Sequence, residues 1–267
     1  MIDLLPTLFG LLVGFLVGLT GVGGGALMTP FLITFMGVAA PTAIGTDLVF
    51  ATVTKMAGSF QHYRQRSVNL EVALFLGLGS IPASLVGVAT LEWIKNSFQA
   101  SAVNNIMITI IGAVLLLVGG SLVFRIFMPE RWTERSQHVW DGEGKMSRRR
   151  RFYTILFGAL GGYLVGLTSV GAGSIMAIIL LLLYPLSPAV IVGTDIVHAT
   201  VLALVTGIAH IASGNVAFGL AGTLLIGSIP GVLIGSRVAR YVPPKPLRLI
   251  LAVMVTIVGL QMLFGSH

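Results

Sequence analysis

Residues 4–46 contain no charged side chain, and residues 152–194 contain none either. One bilayer crossing takes about 20 residues. Each run is therefore long enough for two hydrophobic segments, and the two runs are related. Residues 17–28 read VGLTGVGGGALM and residues 165–176 read VGLTSVGAGSIM, an offset of 148. The register continues without a gap. Gly45, Thr46 and Asp47 match Gly193, Thr194 and Asp195; His62 matches His210; the GSIP at 79–82 matches the GSIP at 227–230. This is a duplicated chain, and each copy is interrupted by glycine inside an apolar run. Glycine loosens a helix. Irregular backbone at membrane depth is tolerated only where it is buried in protein or lines a cavity. Paired interruptions of this kind point to a transporter-type binding site.

Composition gives the class. Hydrophobic residues make up 55% and charged residues 9%, with a mean hydropathy of +0.98. Soluble domains carry about 25% charge. The expected fold is an all-α polytopic membrane protein of two inverted repeats, each with about five hydrophobic segments and a Gly-broken or re-entrant helix. The start, MIDLLP, has no basic region of the kind that opens a cleaved signal peptide. A net charge of +7 would raise nucleic acid as a partner in a soluble chain. Here the basic residues sit in loops, where the positive-inside rule accounts for them. With no cysteine, disulfides and thiolate chemistry are excluded.

The segments expected are 4–20, 26–38, a helix opening at Thr46 and Asp47 and running to Tyr63, then 71–91 and 102–126. After the polar stretch 127–151 come the repeats of the first two, followed by 195–211, 219–236 and 248–264. Residues 1–126 form the first membrane repeat, 127–151 a cytoplasmic linker, and 152–267 the second repeat. Fourteen of the 16 basic residues fall in three loops: Arg64 and Arg66; the eight from Arg125 to Arg151; and Arg237, Arg240, Lys245 and Arg248. The loops matching the first and third by repeat hold little charge. The halves therefore read as oppositely inserted, with five crossings each, both termini outside and the linker inside a bacterial-type plasma membrane. The four arginines at 148–151 read as a topology signal, with lipid-headgroup contact as the alternative.

Several residues could carry chemistry. A half-helix N-terminus offers free N–H groups and partial positive charge to an oxyanion. Gly21, Gly23, Gly24 and Gly25, with Gly171 and Gly173, would let an anion approach the backbone, and Thr20, Thr168, Ser169 and Ser174 would add hydroxyls. Helix–helix packing is the competing reading of the same glycines. Lys55 lies mid-helix, where a buried ammonium is costly and usually functional. Its repeat-mate is Ala203, and a structural pair with Asp47 competes with anion attraction. Asp47 and Asp195 read either as N-caps or as sites for a coupled H+ or Na+. His62 and His210 lie at helix ends, as interfacial residues or proton shuttles. His198, one turn beyond Asp195, could tune a proton site. No metal site, cofactor site or hydrolase signature is present in the sequence.

The duplicated glycine motif, the G-T element 25 residues on, and the endings His62…Asn69 and His210…Asn215 resemble the sulfite exporter TauE/SafE family over nearly the whole chain. The resemblance implies a secondary transporter, usually outward, of sulfur-containing anions such as sulfite or organosulfonates like sulfoacetate. The duplicated interruptions themselves lead us to expect the anion between the two glycine-broken segments near the bilayer midplane. Asp47 and Asp195 stand where the family often has Ser or Asn. The absence of cysteine removes the thiol relay of a related thiosulfate group. An anion channel, or a cation or metal-ion carrier using Asp47, Asp195 and the histidines, is the alternative.

Overall fold

The structure, a computed structural model, describes residues 4–20, 25–127, 147–171, 173–184, 186–239, 241 and 244–265. These residues form helices and no strands. In order they are α1 Leu4–Thr20, α2 Gly25–Thr34, α3 Ala40–Arg64, α4 Leu70–Ser97, α5 Ala100–Phe127, α6 Arg148–Thr168, α7 Ser174–Leu183, α8 Pro188–Ala212, α9 Phe218–Ala239 and α10 Pro244–Phe264. Four described stretches are long and apolar enough to cross a membrane: Leu70–Ser97, Ala100–Phe124, Ala189–Ala212 and Phe218–Val238. Large apolar side chains such as Leu74, Leu78, Ile229 and Leu233 lie on the outside, as a lipid-facing surface requires. The chain is a multi-pass α-helical membrane protein.

Helix pairing reciprocates at the 148-residue offset. α1 packs on α9 as α6 packs on α4, while α3 packs on α8 and α5 on α10. The reciprocity reaches single atoms. Thr46 Oγ1 accepts from the Ala217 amide at 3.0 Å, and Thr194 Oγ1 accepts from the Asn69 amide at 2.9 Å. α3 and α8 cross antiparallel, with Leu48 against Gly207 and Ile196 against Gly58.

Glycines at every fourth position bring helix backbones into close contact. On α1, Gly10, Gly14 and Gly18 face Leu224, Ser228 and Val232 of α9; on α6, Gly158, Gly162 and Gly166 face Leu76, Ser80 and Ser84 of α4. Each pair of facing residues is the other's repeat image. A Cβ at Gly14 would lie 2.4 Å from the Ser228 carbonyl oxygen, and one at Gly162 would lie 2.2 Å from that of Ser80. Between helices in lipid, where burial supplies no apolar driving force, such close backbone approach is the main source of association.

Several boundaries differ from the sequence expectation. α2 ends at Thr34 and has only ten residues, well short of a crossing. α3 starts at Ala40, whose amide donates to Asn104 Oδ1 at 2.9 Å. α8 starts at Pro188 behind the cap of Ser187, whose hydroxyl accepts from Val190 N. Pro41 and Pro188 therefore sit in first turns, where a missing N–H does no harm. Asp47 and Asp195 lie two turns inside their helices and are not N-caps. Gly45 and Gly193 are helix-interior residues packed on the Asn215 and Ser67 carbonyls of the other half. The arginines at 148–151 open α6 rather than closing a loop; Ser147 caps that helix by accepting from Arg150 N at 3.3 Å. The rest of the expected linker, 128–146, lies outside the described residues.

Candidate functional site

The crossing of α3 and α8 divides the sequence's candidate residues between two places. The first is an enclosed polar knot. Asp47 is fully buried, and its Oδ2 accepts from Thr29 Oγ1 and from Ser169 Oγ, each at 2.7 Å. Ser169 belongs to the second repeat and ends α6 in the left-handed region, φ 62°. Gly25 opens α2 directly against this carboxylate: a Cβ there would lie 2.6 Å from the Ser169 carbonyl and 3.2 Å from Asp47 Oδ2. The positive end of the first half-helix, expected to receive a substrate anion, is thus already facing the protein's own carboxylate. Asp47 Oδ1 has no hydrogen-bond partner among the described residues.

The second place is a cavity of about 300 Å³ where α1, α3, α8 and α9 meet the start of α7. Lys55, His62, Gly173 and Asp195 share its wall with Thr54, Gln65 and Ser236. Lys55 and His62, seven residues apart, face the same space, as 3.6 residues per turn requires. The expected structural pair of Lys55 with Asp47 is not made as a contact; the Asp47 hydrogen bonds go to the two hydroxyls. Lys55 instead lies within electrostatic reach of both Asp195 and Asp47. His62 Nδ1 is 2.9 Å from Ser67 Oγ, which fixes the ring at the cavity's edge.

The remaining candidates are placed elsewhere. Thr168 Oγ1 donates to the Leu164 carbonyl at 2.7 Å and accepts from Val170 N, so its hydroxyl serves the helix end. Gly171 is buried with φ 106°, a backbone state that excludes most side chains. Ser174 opens α7, and Thr20 is the last residue of α1. Gly21, Gly23 and Gly24 lie outside the described residues. His198 is buried and hydrogen-bonds through Nε2 to Ser80 Oγ at 2.7 Å, with Nδ1 unpartnered among the described residues. It lines an apolar groove between α4 and α8 rather than the cavity. His210 is buried, with Nε2 on the Gly166 carbonyl at 2.9 Å. Sequence reasoning missed Thr29, Ser80, Ser84 and Thr206. It also missed a cluster in which Asn215 joins Lys95 and Glu92, each at 2.7 Å, while Lys95 pairs with Glu92 at 2.9 Å. No group of three or more metal-ligating side chains occurs among the described residues.

A helical membrane protein with two reciprocal halves and a charged cavity at their junction belongs to the class of multi-pass membrane transporters. The profile of the family described as Sulfite exporter TauE/SafE matches residues 7–262, and the chain belongs to that family. It is 40% identical over 256 residues to the probable membrane transporter protein YjnA of Bacillus subtilis, covering 96% of this chain and 98% of that one. It is 24% identical to the probable membrane transporter protein YdhB of the same organism, covering 95% and 97%. A third relative, the probable membrane transporter protein YunE of B. subtilis, is 26% identical over 96% of this chain and 95% of its own length. No solved structure matches the chain.

Proposed function

We propose that the chain is a secondary transporter of small sulfur-containing anions, sulfite or organosulfonates such as sulfoacetate, and that it exports them. The observation that carries this reading is Lys55. It is an ammonium in the wall of a cavity sized for a small oxyanion, which Gly173 at the start of a half-helix also lines. An ammonium held in a low-dielectric wall needs a counter-charge. Asp195 supplies one when the cavity is empty, and the substrate supplies it when the cavity is filled. Neutralising Asp195 with H+ or Na+ would release Lys55 to the anion, which gives the coupling ion a place. The sulfur chemistry comes from the family and the positive charge from this chain. Nothing in this cycle requires bond-making, so we read the protein as non-enzymatic.

The antiparallel crossing of the repeat-related helices α3 and α8 supports opposite insertion of the halves, with the Arg64–Arg66 turn on the cytoplasmic side. The cavity includes Gln65 and so opens towards that side, as loading for export needs. Flux into and out of proteoliposomes with sulfite, sulfoacetate, taurine and phosphate tests the reading. Saturable sulfite or sulfonate flux that Lys55→Ala reduces is expected. Divalent-cation flux without anion flux would overturn it in favour of a carrier using the aspartates.

A further inference from the structure

The two halves have the same wiring, yet the open cavity lies on one side of their junction and its repeat image is shut. Carrying each residue of the cavity wall across by 148 positions gives a second set. Lys55 becomes Ala203, Gly58 becomes Thr206, His62 becomes His210, Gln65 becomes Ser213, Asp195 becomes Asp47, and Val232 becomes Ser84. In the open wall Lys55, Gly58, His62 and Val232 are partly exposed. In the second set Ala203, Thr206, His210, Asp47 and Ser84 are all buried. Of all the second-set positions, only Leu85 and Ser213 escape burial. A row of hydroxyl, imidazole and carboxylate groups sealed at a helix crossing is costly unless it serves something.

Among the bonded features that keep this second set shut, two have no counterpart at the open end among the described residues. Thr206 Oγ1 donates to Ser84 Oγ at 2.9 Å, zipping α8 to α4. The matching pair, Gly58 and Val232, cannot hydrogen-bond through side chains, and both line the open cavity. At the mouth, Asn215 ties the turn after α8 to Lys95 and Glu92 at the end of α4. The matching positions hold Ser67, Pro243 and Arg240, a set that cannot repeat that cluster.

We propose that Asp47, Thr206, His210 and Ser213 line a second aqueous vestibule, closed in this conformation, through which the anion leaves the Lys55 cavity when the halves exchange arrangements. The exchange is a swap of roles between two repeats that already share one contact plan. The vestibules differ in charge. The open one holds an ammonium, whereas the closed one has Ala203 in that place and Asp47 at its floor. An anion therefore binds at the first and is repelled from the second, so loading and release are built into different halves. The inference rests on the anion reading for what passes, but not for whether the vestibule opens.

The cysteine-free chain is a ready host for the test. Thr206→Cys with Ser84→Cys replaces two oxygens 2.9 Å apart, within the reach of a disulfide. In proteoliposomes with sulfite as the probe, oxidation is expected to cut flux at least tenfold and dithiothreitol to restore it. The independent measurement is a membrane-impermeant maleimide on single Ser213→Cys and Gln65→Cys variants. Labelling from opposite faces is expected, with Ser213→Cys, partly exposed even in the closed arrangement, reacting more slowly once the disulfide between positions 84 and 206 forms in the triple variant. Unchanged flux with the disulfide confirmed by mass spectrometry would overturn the proposal, as would labelling of both single sites from one face. If the unsubstituted protein moves none of the anions tested, the anion reading falls while the labelling still decides the vestibule.

Discussion

The glycine seams allow a prediction whose size follows from the coordinates. A methyl at Gly162 would sit 2.2 Å from the Ser80 carbonyl oxygen and 2.4 Å from Ser80 Cα. A carbon–oxygen contact settles at about 3.3–3.6 Å, so α6 and α4 would have to part by roughly 1 Å. Neither obstacle is a flexible side chain; both are backbone, and Gly158 and Gly166 hold the same seam on either side. Overpacking of this kind costs about 1–3 kcal/mol. It is set against a gain of up to about 1 kcal/mol for replacing a helical glycine with alanine. The net expectation for Gly162→Ala is a loss of about 1–2 kcal/mol, or roughly 2–8 °C in the unfolding midpoint at this chain length.

The repeat supplies its own replicate and its own controls. Gly14 faces Ser228 with the corresponding distances of 2.4 and 2.7 Å, so Gly14→Ala should cost about as much. A Cβ at Gly120 or Gly222 meets nothing within 4 Å, so alanine there should be neutral or slightly stabilising. Thermal unfolding of the four purified variants in detergent measures this. Equal midpoints for Gly162→Ala and Gly120→Ala would refute the close-packed seam, and a large fall for Gly162→Ala with none for Gly14→Ala would refute the equivalence of the two seams.

Lys55→Ala should raise the half-saturating sulfite concentration by about 10–100-fold, the worth of one charged hydrogen bond, with the folded yield retained; Lys55→Arg should recover part of the loss in the same flux assay. Asp47→Leu strands the hydroxyls of Thr29 and Ser169 and should lower stability by about 1–3 kcal/mol for each, whereas Asp47→Asn keeps an acceptor and should lower it less, as read by detergent melts. Asn215→Ala removes the tie from the turn after α8 to the Lys95–Glu92 pair and should increase maleimide labelling of a Ser213→Cys site at least tenfold; unchanged labelling would show that this cluster is not the mouth's closure.

Much of the architecture was legible because duplication and hydropathy act over long stretches. The two uncharged runs, the 148-residue register and the short broken segments could all be read before any coordinates. The helix starts could not. Pro41, Gly45 and Gly193 look like turn residues in isolation, yet Gly45 and Gly193 are needed where a carbonyl of the other half presses on the helix. That contact is between residues far apart in sequence, so no local signal announces it. The error carried over to Asp47 and Asp195, which looked like caps because the helix was started too late. The glycine seams did leave a signal. The spacing 10, 14, 18 and its echoes at 158, 162, 166 and 227, 231, 235 are small-residue repeats of the kind that bring membrane helices together.

The candidate site was harder to read for a reason the duplication itself creates. Repeat-mates look alike in sequence, so Asp47 and Asp195 invite one shared role. Their surroundings have diverged. Thr29 and Ser169, which hold Asp47, are matched by Ala177 and Gly21, neither of which can donate a side-chain hydrogen bond. Lys55 and the cavity lie on the Asp195 side. In this conformation Asp47 is a buried tie between the halves, bonded to a hydroxyl from each. Asp195 shares the cavity wall with Lys55. Two equivalent carboxylates in equivalent settings would give a carrier equal affinity on both faces, and a ligand with equal affinity for two states shifts neither. The substitutions that break the repeat, Lys55 against Ala203 and Thr206 against Gly58, are therefore the positions at which, in the proposed cycle, a symmetric scaffold would bind on one side and release on the other.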